Sequence, residues 1–140
     1  MDVVFNVLRQ MSQTPNGAVM FDIDDTLIRS IDNTLMTDVV TLLNFARGLR
    51  YTIIIITARG EISRQYTESQ LEDASIKYDK LIFASAASKG EVKRGMDYNF
   101  VLSVGDLFTD CTDTMFGLKL PGPNDPRGVF YGPSSNSIPL

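Results

Sequence analysis

Residues 19–27 read Val19-Met20-Phe21-Asp22-Ile23-Asp24-Asp25-Thr26-Leu27, an apolar run that ends in three carboxylates. The apolar part predicts a buried strand over residues 18–23, and Thr26-Leu27 begins the way out of it. Carboxylates at the carboxyl end of a buried strand repel one another and lose hydration, so holding them together needs a cation. Hard oxygen ligands suit Mg²⁺. Strand alternation puts Asp22 and Asp24 on one face and Ile23 on the other. Two carboxylates can then address one point, one attacking phosphorus as a nucleophile and the other moving a proton.

The rest of the chain bounds what this stretch can do. Its 140 residues suit one domain with one core, spanning residues 1–140. Hydrophobic residues make up 44% and charged residues 21%, the balance of a soluble globular chain. The net charge of −4 predicts no general attraction to nucleic acid or to an anionic membrane, although a local basic rim is compatible with it. Cys111 is the single cysteine, so no internal disulfide can form. Histidine is absent, which removes histidine-based triads and histidine metal sites. Catalysis must run on carboxylates, lysine, hydroxyls or a metal. No apolar run of about 18 residues predicts a membrane span, and no secretory signal opens the chain, so a cytoplasmic setting is expected.

Working outward, residues 2–11 have helical apolar spacing, and Pro15-Asn16-Gly17 is a turn signal. Thr37 is placed to cap a helix running to about residue 47, with Gly48 as its stop. Residues 51–57 include Ile53-Ile54-Ile55-Ile56, a run apolar on both faces that predicts a central parallel strand. A helix is expected over residues 61–73, a strand over 80–84 and a short helix over 89–96. A strand over 100–104 follows, then a loop with a short helix over 107–115 and a strand over 117–120. Residues 121–140 hold five of the six prolines and read as an irregular tail, with 129–131 as an edge strand. Alternating strands and helices predict a three-layer α/β/α Rossmann-like domain with a mostly parallel sheet. Such sheets bind ligands beyond the carboxyl ends of their strands.

Three further groups lie at those ends. Thr57 closes the second strand, where its hydroxyl could donate to a phosphoryl oxygen. Lys89, in Ser88-Lys89-Gly90, could neutralise charge on that group. Asp106 and Asp110 lie in Gly105-Asp106-Leu107-Phe108-Thr109-Asp110, a spacing that brings both carboxylates to one side of a turn. Taken singly, Thr57 reads better as a helix cap and Lys89 as a solvated surface lysine, and Asp110 could be an exposed acid beside an N-cap. Lys93 and Arg94 compete with Lys89, and Asp113 competes with Asp110. Asp25 reads as a loop carboxylate facing solvent or Arg29. Arg59 and Glu61 stand where an entrance would be lined, though a surface ion pair is the commoner use of such residues.

Together and in order, these motifs resemble those of the haloacid dehalogenase superfamily of phosphohydrolases. Asp22, Asp24 and Thr26 match its Asp-x-Asp-x-Thr, and the aspartate two places after the nucleophile marks the phosphatase branches. Thr57 matches the hydroxyl of the second motif, Lys89 the cation of the third, and Asp106 with Asp110 the Gly-Asp-x-x-x-Asp of the fourth. The resemblance covers roughly residues 18–115. It implies a phosphomonoester hydrolase acting through an aspartyl-phosphate on Asp22, with Asp24 as acid and base. Thr57, Lys89 and Arg59 would contact the substrate phosphate. Mg²⁺ would sit on Asp22, Asp106 and the Asp24 backbone carbonyl, with Asp110 joining directly or from behind. Both usual positions for a cap insertion are short here. The implied site is therefore open, suited to a phosphorylated small molecule, a nucleotide, a phosphoprotein or a nucleic-acid end, with nucleic acid as substrate only. Another subunit could cover it in an oligomer. The alternatives are an inactive phosphate-recognition domain and a phosphotransferase.

Overall fold

The structure, a computed structural model, describes residues 1–132 and the backbone of 137–139. Among these, the helices are α1 (Asp2–Gln10), α2 (Thr37–Gly48), α3 (Arg64–Asp73) and α4 (Lys89–Arg94). The strands are β1 (Gly17–Phe21), β2 (Thr52–Thr57), β3 (Lys80–Phe83), β4 (Asn99–Gly105), β5 (Phe116–Lys119), β6 (Val129–Tyr131) and β7 (Ser137–Pro139). They form a single sheet in the order β3-β2-β1-β4-β5-β6-β7. Strands β1 to β5 are parallel, while β6 and β7 pair antiparallel at one edge. The fold is the expected mostly parallel α/β sheet in three layers.

The isoleucine run explains the layering. Ile53 and Ile55 join Val19 and Phe21 in one apolar cluster, and Ile54 and Ile56 join Ala18 and Met20 in another. Period-two alternation sends neighbours to opposite faces. The larger cluster is covered by Leu8 of α1, Leu42 and Leu43 of α2, and Leu71 of α3. Val92 of α4 packs on the smaller one. Each large aliphatic side chain buried this way contributes about 1.5–3 kcal/mol over leaving it exposed.

From β1 the chain winds outward through β2 to β3, then returns to lay β4 against the other side of β1. The connections therefore diverge between β1 and β4, and the carboxyl ends of these two strands are where such a sheet places its ligand crevice. Among the described residues, no helix is long and apolar enough to cross a membrane.

Several details differ from the sequence expectation. Thr37 is the first residue of α2, with Met36 at the cap position and no side-chain cap bond. Gly48 is the last helical residue, and it is Arg50, at φ 71°, that turns the chain. The Arg50 amide donates to the Arg47 carbonyl at 2.9 Å, which supports the left-handed turn. The helix expected from residue 61 opens with a 3₁₀ turn, Glu61–Ser63, and residues 107–115 hold only the 3₁₀ turn Phe108–Cys111. The tail adds two strands to the sheet: β6, over the expected residues but paired on both sides rather than at the edge, and β7, which takes the edge. Pro139 has no N–H to give, which an edge strand tolerates. Residues 133–136 and 140 of that expected tail lie outside the described residues.

Candidate active site

Asp22 follows β1, and its N–H still donates to the Val104 carbonyl of β4 at 3.0 Å. Its side chain is thereby fixed at the seam where the connections diverge. Asp106 is the first residue after β4, and Asp110 lies in the Phe108–Cys111 turn. Asp22, Asp106 and Asp110 are all buried, and each offers an oxygen within 4.8 Å of the others.

Lys89 starts α4 with its side chain only 2% exposed. Its Nζ donates to Asp110 Oδ1 at 2.6 Å and lies 3.0 Å from Asp22 Oδ1. Of the three neighbouring cations, Lys89 is the one that reaches the carboxylates. Lys93 donates instead to Ser103 Oγ at 3.1 Å, to the Asp110 carbonyl at 2.9 Å and to the Thr112 carbonyl. Arg94 pairs with Asp113 at 2.8 Å, and Asp113 is not in the carboxylate cluster.

The electrostatics follow from this crowding. Burial, then the proximity of Asp110, pushes the Asp22 carboxyl up to about 7 despite Lys89. Burial and Asp110 raise Asp106 in the same direction. Burial works against the Lys89 charge, but Asp22 and Asp110 outweigh it and hold its ammonium above the ordinary lysine value. One ammonium cannot balance three carboxylates. An all-oxygen, buried, negatively charged cluster suits a hard divalent cation.

Asp110 is placed by the backbone around it. The Leu107 N–H donates to Asp110 Oδ2 at 3.2 Å. The Asp110 side chain fills the space a Cβ on residue 105 would occupy, so Gly105 is required by close approach. Lys93 grips the turn from beneath, and burial drives its ammonium down to about 8.

Thr57 is buried at the end of β2. Its Oγ1 accepts the Arg59 N–H at 3.1 Å, leaving its own hydroxyl proton to donate. Asp24 stands outside the carboxylate cluster with its side chain 43% exposed. Arg59 reaches it with two prongs, Nε to Oδ2 at 3.0 Å and Nη2 to Oδ1 at 2.9 Å. The Arg59 side chain is only 15% exposed, so this differs from the surface ion pair its position suggested. Glu61 pairs at the surface with Arg64 at 2.5 Å. Asp25, at φ 57°, does not meet Arg29; its Oδ1 accepts the Ser30 N–H and hydroxyl, each at 2.9 Å. Arg29 donates to Thr34 Oγ1 instead.

Sequence reasoning missed Lys119. Its fully buried Nζ donates to the carbonyls of Leu120 at 2.9 Å, Asp125 at 3.0 Å and Arg127 at 2.7 Å. It gathers the loop after β5 beside Asp106, where a Cβ on Gly122 would stand 2.9 Å from the Asp106 Cβ. The available signal was a lysine on an inward register of an apolar strand.

No family model and no curated protein matches the chain. Among solved structures, the chain is similar to one in the structure of the Pnkp1/Rnl/Hen1 complex. The TM-score is 0.62 at 22% identity, over 69% of this chain and 41% of that one. A chain in the structure of the Pnkp1/Rnl/Hen1 RNA repair complex gives a TM-score of 0.56 at 21% identity, over 66% and 36%. This chain thus spans less than half the length of either neighbour. At these identities the likeness is one of fold alone, an α/β sheet.

Proposed function

We propose that the chain is a Mg²⁺-dependent phosphomonoesterase of the haloacid dehalogenase type, acting on the phosphorylated end of a nucleic acid. The observation that carries this reading is the meeting of Asp22, Asp106 and Asp110 with Lys89 at one crevice. A recognition module would need only donors for phosphate, such as Thr57 and Lys89, whereas here a carboxylate suited to be the nucleophile, Asp22, is held at the centre.

In this reading Asp22 attacks phosphorus and forms an aspartyl-phosphate as the ester P–O bond breaks. Asp24 gives its proton to the departing oxygen. Asp24 then takes a proton from water as that water attacks phosphorus, and the Asp22–phosphorus bond breaks. The Thr57 hydroxyl and the Lys89 ammonium hold the transferring phosphoryl group. Asp22, Asp106 and the Asp24 carbonyl, with Asp110 directly or from behind, would hold Mg²⁺, which offsets negative charge on the phosphoryl oxygens.

The substrate class rests on two supports. No separate domain is inserted around the site: residues 22–36, with the bridges Asp24–Ile28 and Ile28–Leu35, and α2 fill the connection from β1 to β2, and α3 with its 3₁₀ turn fills the next. The absence of a cap domain in these two connections favours a ligand that continues beyond the phosphate. The similar folds occur in an RNA repair complex, which favours a nucleic-acid end over a phosphopeptide.

The test is a screen of 3′- and 5′-phosphorylated oligonucleotides, nucleoside monophosphates and phosphopeptides with and without Mg²⁺. Asp22→Asn serves as the control. Mg²⁺-dependent release of phosphate from an oligonucleotide end, lost in a folded Asp22→Asn protein, is expected. Full activity in that variant would refute the nucleophile assignment.

A further inference from the structure

We infer that Arg59 is a positioning residue that aims Asp24 at the departing ester oxygen from a mount on α3. The inference rests on the phosphatase reading above.

Asp24 has a problem the other acids lack. Asp22, Asp106 and Asp110 are fixed by burial, while the Asp24 side chain is 43% exposed. A half-exposed carboxylate samples several rotamers, and a misplacement of about 1 Å in a proton donor can reduce a rate about 10²-fold. Something must hold it.

Arg59 has the shape for that task. Its planar fork matches both oxygens of the Asp24 carboxylate, at 3.0 and 2.9 Å. The fork is itself held from behind. Nη1 donates to Thr67 Oγ1 at 3.1 Å and to Gln70 Oε1 at 2.8 Å, both on α3. Thr67 is fully buried. The Arg59 N–H is fixed on Thr57 Oγ1, so backbone and head group are both restrained. Four of the five guanidinium N–H groups are thus engaged inside the protein. A residue meant chiefly to grip phosphate would keep its donors free. The relay runs from α3 through Arg59 to Asp24, and Arg59 lies 35 residues from Asp24 along the chain.

The chemistry gives this role a signature. Each Asp24 oxygen keeps a lone pair outside the Arg59 fork, so a proton taken from solvent and carried there passes to the ester oxygen as the P–O bond breaks, and the bonding pair leaves with that oxygen. Esters whose oxygen leaves readily need the proton little, and esters with poor leaving oxygens need it much. Loosening Asp24 should therefore slow the two kinds unequally. A purely structural brace, or a residue gripping the phosphoryl group, would slow both alike.

The experiment compares kcat and KM for phenyl phosphate and 4-nitrophenyl phosphate, similar in shape and different in leaving ability, at saturating Mg²⁺. The proteins are wild type, Arg59→Ala, Arg59→Lys and Gln70→Leu, each checked by thermal melting. Arg59→Ala should lower kcat for phenyl phosphate about 100-fold and for 4-nitrophenyl phosphate less than about fivefold, with KM little changed. Arg59→Lys and Gln70→Leu should show smaller losses with the same bias. An equal loss on both esters, or a rise in KM with kcat preserved, overturns the inference. If Arg59→Ala does not fold, Arg59→Lys and Gln70→Leu decide it, because absence of the bias in both overturns it. A wild-type protein inactive on both esters and on the phosphorylated oligonucleotides instead overturns the phosphatase reading.

Discussion

The ammonium of Lys89 stands 2.6 Å from the Asp110 carboxylate, and neither side chain reaches solvent. A buried pair of this kind is strongly destabilising to break, because the surviving charge is stranded. Lys89→Met should lower stability by about 3–5 kcal/mol. On the proposed phosphatase reading it should also reduce kcat at least about 100-fold, by removing a cation that would face the phosphoryl group. Thermal melts should show Mg²⁺ restoring much of the lost stability, since a cation again offsets Asp22 and Asp110. Loss of stability without any recovery in Mg²⁺ would count against a shared cation site.

The raised Asp22 carboxyl makes metal-free stability depend on pH. Unfolded, Asp22 ionises near 3.8; folded and without metal, it ionises at about 7. Between these values the folded protein keeps a proton that the unfolded chain has released, so stability falls as pH rises. The loss has a ceiling of about 4 kcal/mol, at about 1.36 kcal/mol per pH unit, and is complete above the folded value. Asp106 shifts in the same direction and adds to the slope. The melting temperature of protein in EDTA should therefore drop from pH 4 to pH 8, and Mg²⁺ should flatten the curve. A metal-free curve that stays level would contradict the crowding of these carboxylates.

Gly122→Ala tests how closely the loop after β5 supports Asp106. The added methyl group would stand 2.9 Å from the Asp106 Cβ and 3.0 Å from Oδ2. Asp106 must move or the loop must lift. Mg²⁺ affinity, read from the metal dependence of activity, should weaken about 10-fold to 100-fold with the fold retained. An unchanged metal dependence would mean that Asp106 does not bind the ion.

Lys93 holds carbonyls, and Lys119 holds carbonyls with the Asp125 carboxylate at 3.9 Å. Lys93→Met strands the Asp110 and Thr112 carbonyls, and Lys119→Met strands those of Leu120, Asp125 and Arg127. Each stranded acceptor costs about 1–3 kcal/mol, so either variant should melt well below wild type in denaturant titrations. Lys93→Met should also reduce activity, because it frees the turn that carries Asp110. Full stability in either variant would show that water replaces the lysine.

Much of this was legible before the structure. The isoleucine run at 53–56 pointed to a strand buried on both faces, and the acids at strand ends pointed to a cluster for which a cation is the simplest partner. The order of those ends along the chain then pointed to one crevice. Three things were hidden, each for a physical reason. Arg59 has a long, flexible side chain, so spacing along the chain does not reveal that it reaches Asp24. The buried lysines Lys93 and Lys119 resemble surface lysines until their carbonyl partners are seen. Strand β7 has three residues, too few to establish a periodicity.

Strand β6 has a consequence of its own. The Tyr131 hydroxyl donates to the Cys111 carbonyl at 2.8 Å, one residue beyond Asp110. Its ring also lies where a Cβ on Gly117 would sit. A segment late in the chain therefore splints the acid-bearing turn. Cutting the chain between β5 and β6, or disturbing Tyr131, would loosen the carboxylate cluster from a distance.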